Sequence, residues 1–290
     1  MRPLRSFLFV PGDSEKKLAK AAQSPADALI LDLEDSVAQG RKEFARGLVA
    51  AYLTAEQATG AQLWVRINPL TSGLALRDLA TVITDRLAGI MIPKVDGPAD
   101  VLAVSHYLDA LEVSAGVDGG AQLLPVATET ARSPFALGEY STAGLTRLYG
   151  LTWGAEDLSA DVGATTNLGR DARWTHTYQT VRSLTLLGAK AAGVQAVETL
   201  YVDIADRDGL SEDCRWARSE GFSGRIAIHP AQVETINAAF TPTDAEVEFA
   251  RRVVAAFEST VDGAVALDGK MLDAPHLKQA RQVLTLTEGF

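Results

Sequence analysis

The chain has 290 residues, of which 47% are hydrophobic and 22% charged, enough apolar content for a large buried core. A formal net charge of −10 argues against nucleic acid or an anionic membrane as the main partner, because both recruit clustered Lys and Arg. Cys214 is the only cysteine, which excludes an internal disulfide and a zinc site built from several thiolates.

The first apolar run is broken at Pro11-Gly12, too early for a signal-peptide core, and no later run is long enough to cross a bilayer. A cytoplasmic location is therefore expected. Short apolar runs rich in β-branched residues predict strands at 6–10, 28–33, 63–68, 89–93, 123–128, 145–153, 196–202 and 225–229. Amphipathic segments between them predict helices that include 14–22, 41–58, 100–114, 170–191 and 206–219. Strands apolar on both faces suit a parallel arrangement under helices. Eight strand–helix alternations predict a TIM-type (β/α)8 barrel, with an open doubly wound sheet as an alternative that periodicity cannot separate.

Beyond the eighth strand the pattern changes. Thr241-Pro242-Thr243-Asp244 supplies a stop and a cap for a helix over 243–258. A glycine-containing segment follows over 260–270, then a last helix from about 274 to 284. We expect a barrel catalytic domain over 1–240 and a C-terminal helical lid extension over 241–290.

Polar side chains gather at the C-terminal ends of the predicted strands: Asp32, Glu34 and Asp35, then Arg66 and Asn68, then Lys94, Glu129, Glu156-Asp157 and His229. In a barrel these ends converge on one mouth, where active sites form. Magnesium takes oxygen ligands and needs only one or two protein carboxylates, which Glu129 and Asp157 can supply on neighbouring strand ends. Such an ion would polarise a carbonyl and stabilise an enolate. Arg66 suits a bidentate grip on a substrate carboxylate. A cap or surface ion pair is the plainer use of each carboxylate. Near the N-terminus, Pro11-Gly12 leads into a helix with Lys16 and Lys20 one turn apart, an anion site or simply a solvated face. His229 before Pro230 reads as a structural hydrogen-bond partner. Neither a GxGxxG nor a GxxxxGK[ST] pattern is present, nor are G-x-S-x-G or HExxH, so dinucleotide-binding, NTPase, serine hydrolase and zinc protease readings lack support.

Phe7-Leu8-Phe9-Val10-Pro11-Gly12, Leu31-Asp32-Leu33-Glu34-Asp35-Ser36-Val37, Val65-Arg66-Ile67-Asn68, Ile92-Pro93-Lys94-Val95, Glu129-Thr130, Gly154-Ala155-Glu156-Asp157-Leu158, Ala227-Ile228-His229-Pro230 and Gly269-Lys270-Met271-Leu272-Asp273 follow in order. In these motifs the chain resembles the citrate lyase beta-subunit-like family, which includes malyl-CoA and citramalyl-CoA lyases. The resemblance covers nearly the whole chain. It implies a TIM-type barrel, a homotrimer or hexamer, and Mg²⁺ held by Glu129 and Asp157. It further implies a substrate grip by Arg66 with Glu129, and CoA contacts from Lys16, Lys20, Phe9, Ile228 and His229. Some relatives carry Tyr where this chain has Phe9, which would remove a hydroxyl contact to CoA. Asp273 matches an acid–base residue on a C-terminal lid; from the residues alone it is an N-cap before Ala274-Pro275.

The implied reaction is cleavage or formation of a 3-hydroxyacyl-CoA, giving an oxo acid and acetyl-CoA. Alternatives are the beta subunit of a multi-subunit citrate lyase acting on a carrier thioester, a CoA-independent class II aldolase, and a non-catalytic binding subunit.

Overall fold

The computed structural model of the chain describes residues 3–55, 59–170, 173–260 and 263–287. Eight parallel strands form one sheet: β1 (Ser6–Pro11), β2 (Ala28–Asp32), β3 (Gln62–Arg66), β4 (Leu87–Ile92), β5 (Gln122–Pro125), β6 (Gly150–Leu151), β7 (Gln195–Glu198) and β8 (Gly224–Ala227). The first pairs with the last, through Phe7 and Ile226 among others. The remaining seam between β5 and β6 closes through single bridges, Leu123 to Leu148 and Val126 to Thr152. The sheet therefore closes into the expected barrel, and the open doubly wound alternative falls.

Helices α1 (Glu15–Ala21), α2 (Lys42–Thr54), α3 (Ala75–Val82) and α4 (Pro98–Ala115) follow β1 to β4. A 3-10 stretch (Ser133–Ser141) follows β5, α5 (Ala155–Asp161) and α6 (His176–Ala191) follow β6, and α7 (Arg207–Glu220) and α8 (Pro230–Phe240) follow β7 and β8. One large apolar cluster, including Leu29, Leu31, Val65, Ile90, Ile92 and Leu123, lies between strands and helices. A second fills the barrel itself. There Phe7, Trp64 and Tyr149 meet edge to face with centroids 5.2 to 6.2 Å apart, the preferred geometry for aromatic rings. Gly89 faces this plug, and a side chain there would overlap the Trp64 ring. The plug makes the interior a packed core, so only the mouth is left for chemistry.

Two sequence expectations within the barrel shift. The predicted helix over 170–191 starts only at His176, because Leu168 and Trp174 pair antiparallel and Trp174 packs 5.1 Å from Trp153. Residues 171–172 of that prediction lie outside the described residues, as do 56–58 at the predicted end of α2. The sixth strand, predicted over 145–153, holds a regular ladder only at Gly150–Leu151.

Beyond α8 come α9 (Asp244–Glu258), β9 (Ala264–Leu267), β10 (Lys270–Asp273) and α10 (Ala274–Thr287). Thr243 caps α9, as the sequence implied, and the structure adds a reciprocal box with Glu246. Within the glycine-containing segment, residues 264–269 supply one hairpin strand and its turn, and 261–262 lie outside the described residues. Asp268 and Gly269 both take positive φ, 52° and 75°, which matches the twist of a two-residue hairpin turn. Ala250, Val253, Leu272 and Ala280 form a separate small core there. The extension thus mixes strands with helices. Among the described residues, no helix is long and apolar enough to cross a membrane.

Candidate active site

Side chains alternate along a strand, so the inward positions climb in twos from the apolar plug to the mouth. On β2 they run Ala28, Ile30, Asp32; on β3, Trp64, Arg66; on β1, Phe7, Phe9. Asp32 and Arg66 are register partners on adjacent strands. Arg66 donates Nε–H and Nη2–H to the two Asp32 oxygens, each at 2.7 Å. Asp32 also accepts the backbone N–H of Glu34 at 2.9 Å and of Ser36 at 3.1 Å, so its carboxylate is saturated. Burial works to raise its pKa, but Arg66 and these donors prevail and hold the carboxyl below its usual range. The Phe9 ring lies 4.4 Å from the guanidinium and covers one of its faces.

Lys94 joins the remaining acids. Its φ of 52° makes it one of two described non-glycine residues in the left-handed region, a conformation that persists only where the surroundings over-determine it. That turn sends its N–H to Glu129 Oε2 at 2.6 Å. Its ammonium reaches Glu34, and Asp35 and Asp157 at 3.2 Å each. Lys42 donates to the carbonyls of Leu33 and Glu34, both at 2.8 Å, and so pins the loop that carries Glu34. Gly154, the residue before α5, abuts Glu129: an added Cβ would come within 2.7 Å of Glu129 Cγ. Only glycine lets α5, with Asp157 in its first turn, approach this closely. Trp153 donates to the buried Glu198 at 2.5 Å, and Arg182 does so at 2.6 Å, which fixes the adjoining strand ends.

Asp32, Glu34, Asp35, Glu129 and Asp157 outnumber the cations Arg66, Lys94 and Lys42 at this mouth. Burial, and after it the charge of Asp157, pushes Glu129 up to about 8. Burial likewise raises Glu34 above the usual carboxylate range despite Arg66 and Lys94. A buried acid beside a second carboxylate and short of positive charge is the donor chemistry a hard divalent cation fits. Among the described residues no three His, Cys, Asp or Glu side chains form a ready cage, so such an ion would keep positions for water and substrate. The direction of pH dependence follows. An ion held by Glu129 would, below about 8, have to displace its proton. Magnesium affinity measured by calorimetry is therefore expected to rise roughly tenfold per pH unit from 6.5 and level off above 8.5. In Glu129→Gln it should be weak and flat.

The other sequence candidates fall elsewhere. Lys16 and Lys20 are exposed on α1, whose cap is Ser14. His229 caps α8 by accepting the Ala231 N–H at 3.2 Å, the structural bond expected of it, and half-buried Ile228 follows the end of β8. Asp273 ends β10 on the outer hairpin, with an oxygen 2.6 Å from His276 Nδ1. It directly precedes α10. Asp32, Glu34 and Lys94 were visible in the sequence as strand-end polar groups, yet no task could be given to them. Their partners sit on other strands, and only the register pairs them.

Residues 5–230 match the model of HpcH/HpaI aldolase/citrate lyase. The chain belongs to this family. Residues 174–290 match a second model, described as a C–C bond lyase of the TIM-barrel fold. The chain is 34% identical to the mitochondrial citramalyl-CoA lyase of Rattus norvegicus, over 98% of this chain and 86% of that protein. It is 35% identical to a (3S)-malyl-CoA thioesterase of Cereibacter sphaeroides, over 99% and 96% of the two chains. The solved structure of CitE from Mycobacterium tuberculosis, in complex with magnesium, acetoacetate and coenzyme A, superposes with a TM-score of 0.80 at 33% identity, covering 99% of this chain and all of that one.

Proposed function

We propose that the protein is a Mg²⁺-dependent carbon–carbon lyase that cleaves, or forms, a 3-hydroxyacyl-CoA such as malyl-CoA or citramalyl-CoA, yielding an oxo acid and acetyl-CoA. The observation that carries this reading is the mouth itself: a locked guanidinium beside a buried carboxyl with a second, part-exposed acid next to it, in a family whose relatives act on such esters.

Glu129 and Asp157 would hold the ion, which when bound supplies Lewis-acid stabilisation of an enolate. Arg66 binds the carboxylate of the oxo-acid end and orients it. Lys94 holds Glu34 and Asp157 in place through its ammonium and Glu129 through its N–H. Asp273 moves a proton at the carbon next to the thioester, and residues 241–290 act as the lid that brings it to a mouth. Its position on the outer hairpin supports delivery to a neighbouring copy, and hence a trimer or hexamer. A cytoplasmic location is supported by a lone, buried thiol.

The exposed pair Lys16 and Lys20 would receive the CoA phosphates. Replacing both with Glu is expected to raise KM for the CoA ester about tenfold, more at low salt, without changing kcat or oxo-acid affinity. An unchanged KM would assign CoA to another surface.

The reading is tested by incubating purified protein and Mg²⁺ with malyl-CoA and citramalyl-CoA separately, scoring glyoxylate, pyruvate and acetyl-CoA. Release of an oxo acid together with acetyl-CoA, abolished by EDTA, is the expected result and identifies the acyl group. Release of CoA with malate would instead mark thioester hydrolysis. Silence on both esters would move the assignment to a carrier-bound substrate or a CoA-independent aldolase.

A further inference from the structure

Glu34 is the one buried carboxylate of the mouth with neither a full set of hydrogen bonds nor a task. Asp32 is saturated by Arg66 and two backbone N–H groups. Glu129 and Asp157 are the proposed cation pair, and Asp273 lies on the hairpin. Glu34 is 2% exposed. Its Oε1 takes the Lys94 ammonium. Its Oε2 is buried and accepts no hydrogen bond from any described residue. Arg66 Nη1 lies 2.9 Å from that oxygen as an ion pair, with no N–H directed at it. A buried acceptor without a donor is uncommon enough to need an explanation, and an O–H brought by a ligand is one.

The place of that oxygen says which O–H. Asp32 occupies the fork made by Nε and Nη2 of Arg66, which leaves the second fork, between Nη1 and Nη2, for a substrate carboxylate. Glu34 Oε2 adjoins Nη1, so it stands beside this second fork. In a malyl or citramalyl ester the hydroxyl carbon is bonded directly to the carboxylate. A carboxylate seated on the fork therefore sets its neighbouring hydroxyl next to Glu34.

We propose that Glu34 is the base that takes the hydroxyl proton in the cleavage step, an inference that rests on the lyase reading above. The O–H electron pair becomes the second bond of the new C=O, and the C–C bond breaks. Its electron pair passes to the thioester enolate, which takes a proton at carbon from Asp273. In the condensing direction Glu34 returns its proton to the new alkoxide. No oxidant or reductant is needed. Lys42, through the Leu33 and Glu34 carbonyls, and Lys94, through Oε1, hold the carboxylate where the step requires it.

The test compares the wild-type chain with Glu34→Gln, Glu34→Asp and Asp273→Asn, all with Mg²⁺. Two rates are read: cleavage of the ester that wild type accepts, and uptake of deuterium from D₂O into the methyl group of acetyl-CoA. Glu34→Gln is expected to lose cleavage about 100-fold or more while keeping methyl exchange within about twofold, since exchange needs only the second proton transfer. Glu34→Asp should recover part of the lost cleavage, and Asp273→Asn should lose both rates. Cleavage by Glu34→Gln within fivefold of wild type would overturn the inference and leave the lyase reading standing. Loss of exchange along with cleavage would overturn it too, by marking Glu34 as structural. A wild-type protein that cleaves no ester would sink the lyase reading and this inference with it.

Discussion

Replacing Asp273 with asparagine is expected to lower turnover about 10³-fold while the binding of pyruvate and of acetyl-CoA stays as it was. Asparagine keeps the shape of the side chain and can still meet His276, whose ring nitrogen lies 2.6 Å from the Asp273 oxygen, but it cannot carry a proton. Both residues are exposed, so the fold should not register the change. Exposed pairs of this kind contribute about 0–1 kcal/mol, and the melting temperature should move by no more than about 2 °C. Turnover, ligand binding and melting together separate a chemical role from a capping one. Activity close to wild type would return Asp273 to the plain N-cap before α10 and assign the proton transfer at carbon elsewhere.

Arg66→Met should strike both stability and binding. The guanidinium is the main partner of Asp32, which is 1% exposed, and also faces Glu34. Removing one member of a buried ion pair costs about 3–5 kcal/mol, because the charge left behind has neither water nor partner. Here the lower end applies, since Asp32 keeps the N–H groups of Glu34 and Ser36. The sign with pH is fixed by the lowered pKa of Asp32: its contribution is present above the ordinary carboxylate range and is lost as pH falls through the folded value. Melting of Arg66→Met and wild type should accordingly converge as the solution is acidified. Oxo-acid affinity should fall about 100-fold through loss of a charge-assisted bidentate contact. Adding Asp32→Asn to Arg66→Met should restore part of the stability but none of the binding. If the double variant is less stable than Arg66→Met alone, the pair is not the electrostatic unit described above.

Much of the barrel was legible because a strand buried on both faces must be apolar along its length, and helices between such strands must be amphipathic. The cap of α9 and the structural hydrogen bond of His229 were legible because each acts within a few residues. Misreadings came where local pattern and tertiary packing disagree. The segment before His176 has helix-compatible composition, yet Trp174 is drawn into an extended pairing by the ring of Trp153. The Asp268-Gly269 hairpin did carry a local signal, since that dipeptide suits a two-residue turn, but Asp262-Gly263 offers the same signal a few residues earlier.

For the site, the sequence by itself determined the cast: which acids and bases end the strands, that Arg66 closes an apolar strand, and that Glu129 and Asp157 follow neighbouring strands. Only the tertiary structure decided who meets whom. Asp32 finds Arg66 because β2 and β3 are in that register. Glu129 and Asp157 approach because Gly154 leaves room. Lys94 spans three carboxylates because its backbone turns left-handed. Glu34 is left with an open acceptor because Asp32 already holds the near fork of the arginine. Composition and spacing are properties of one stretch of chain, whereas charge pairing, desolvation and the pKa values they set depend on atoms brought together from different strands.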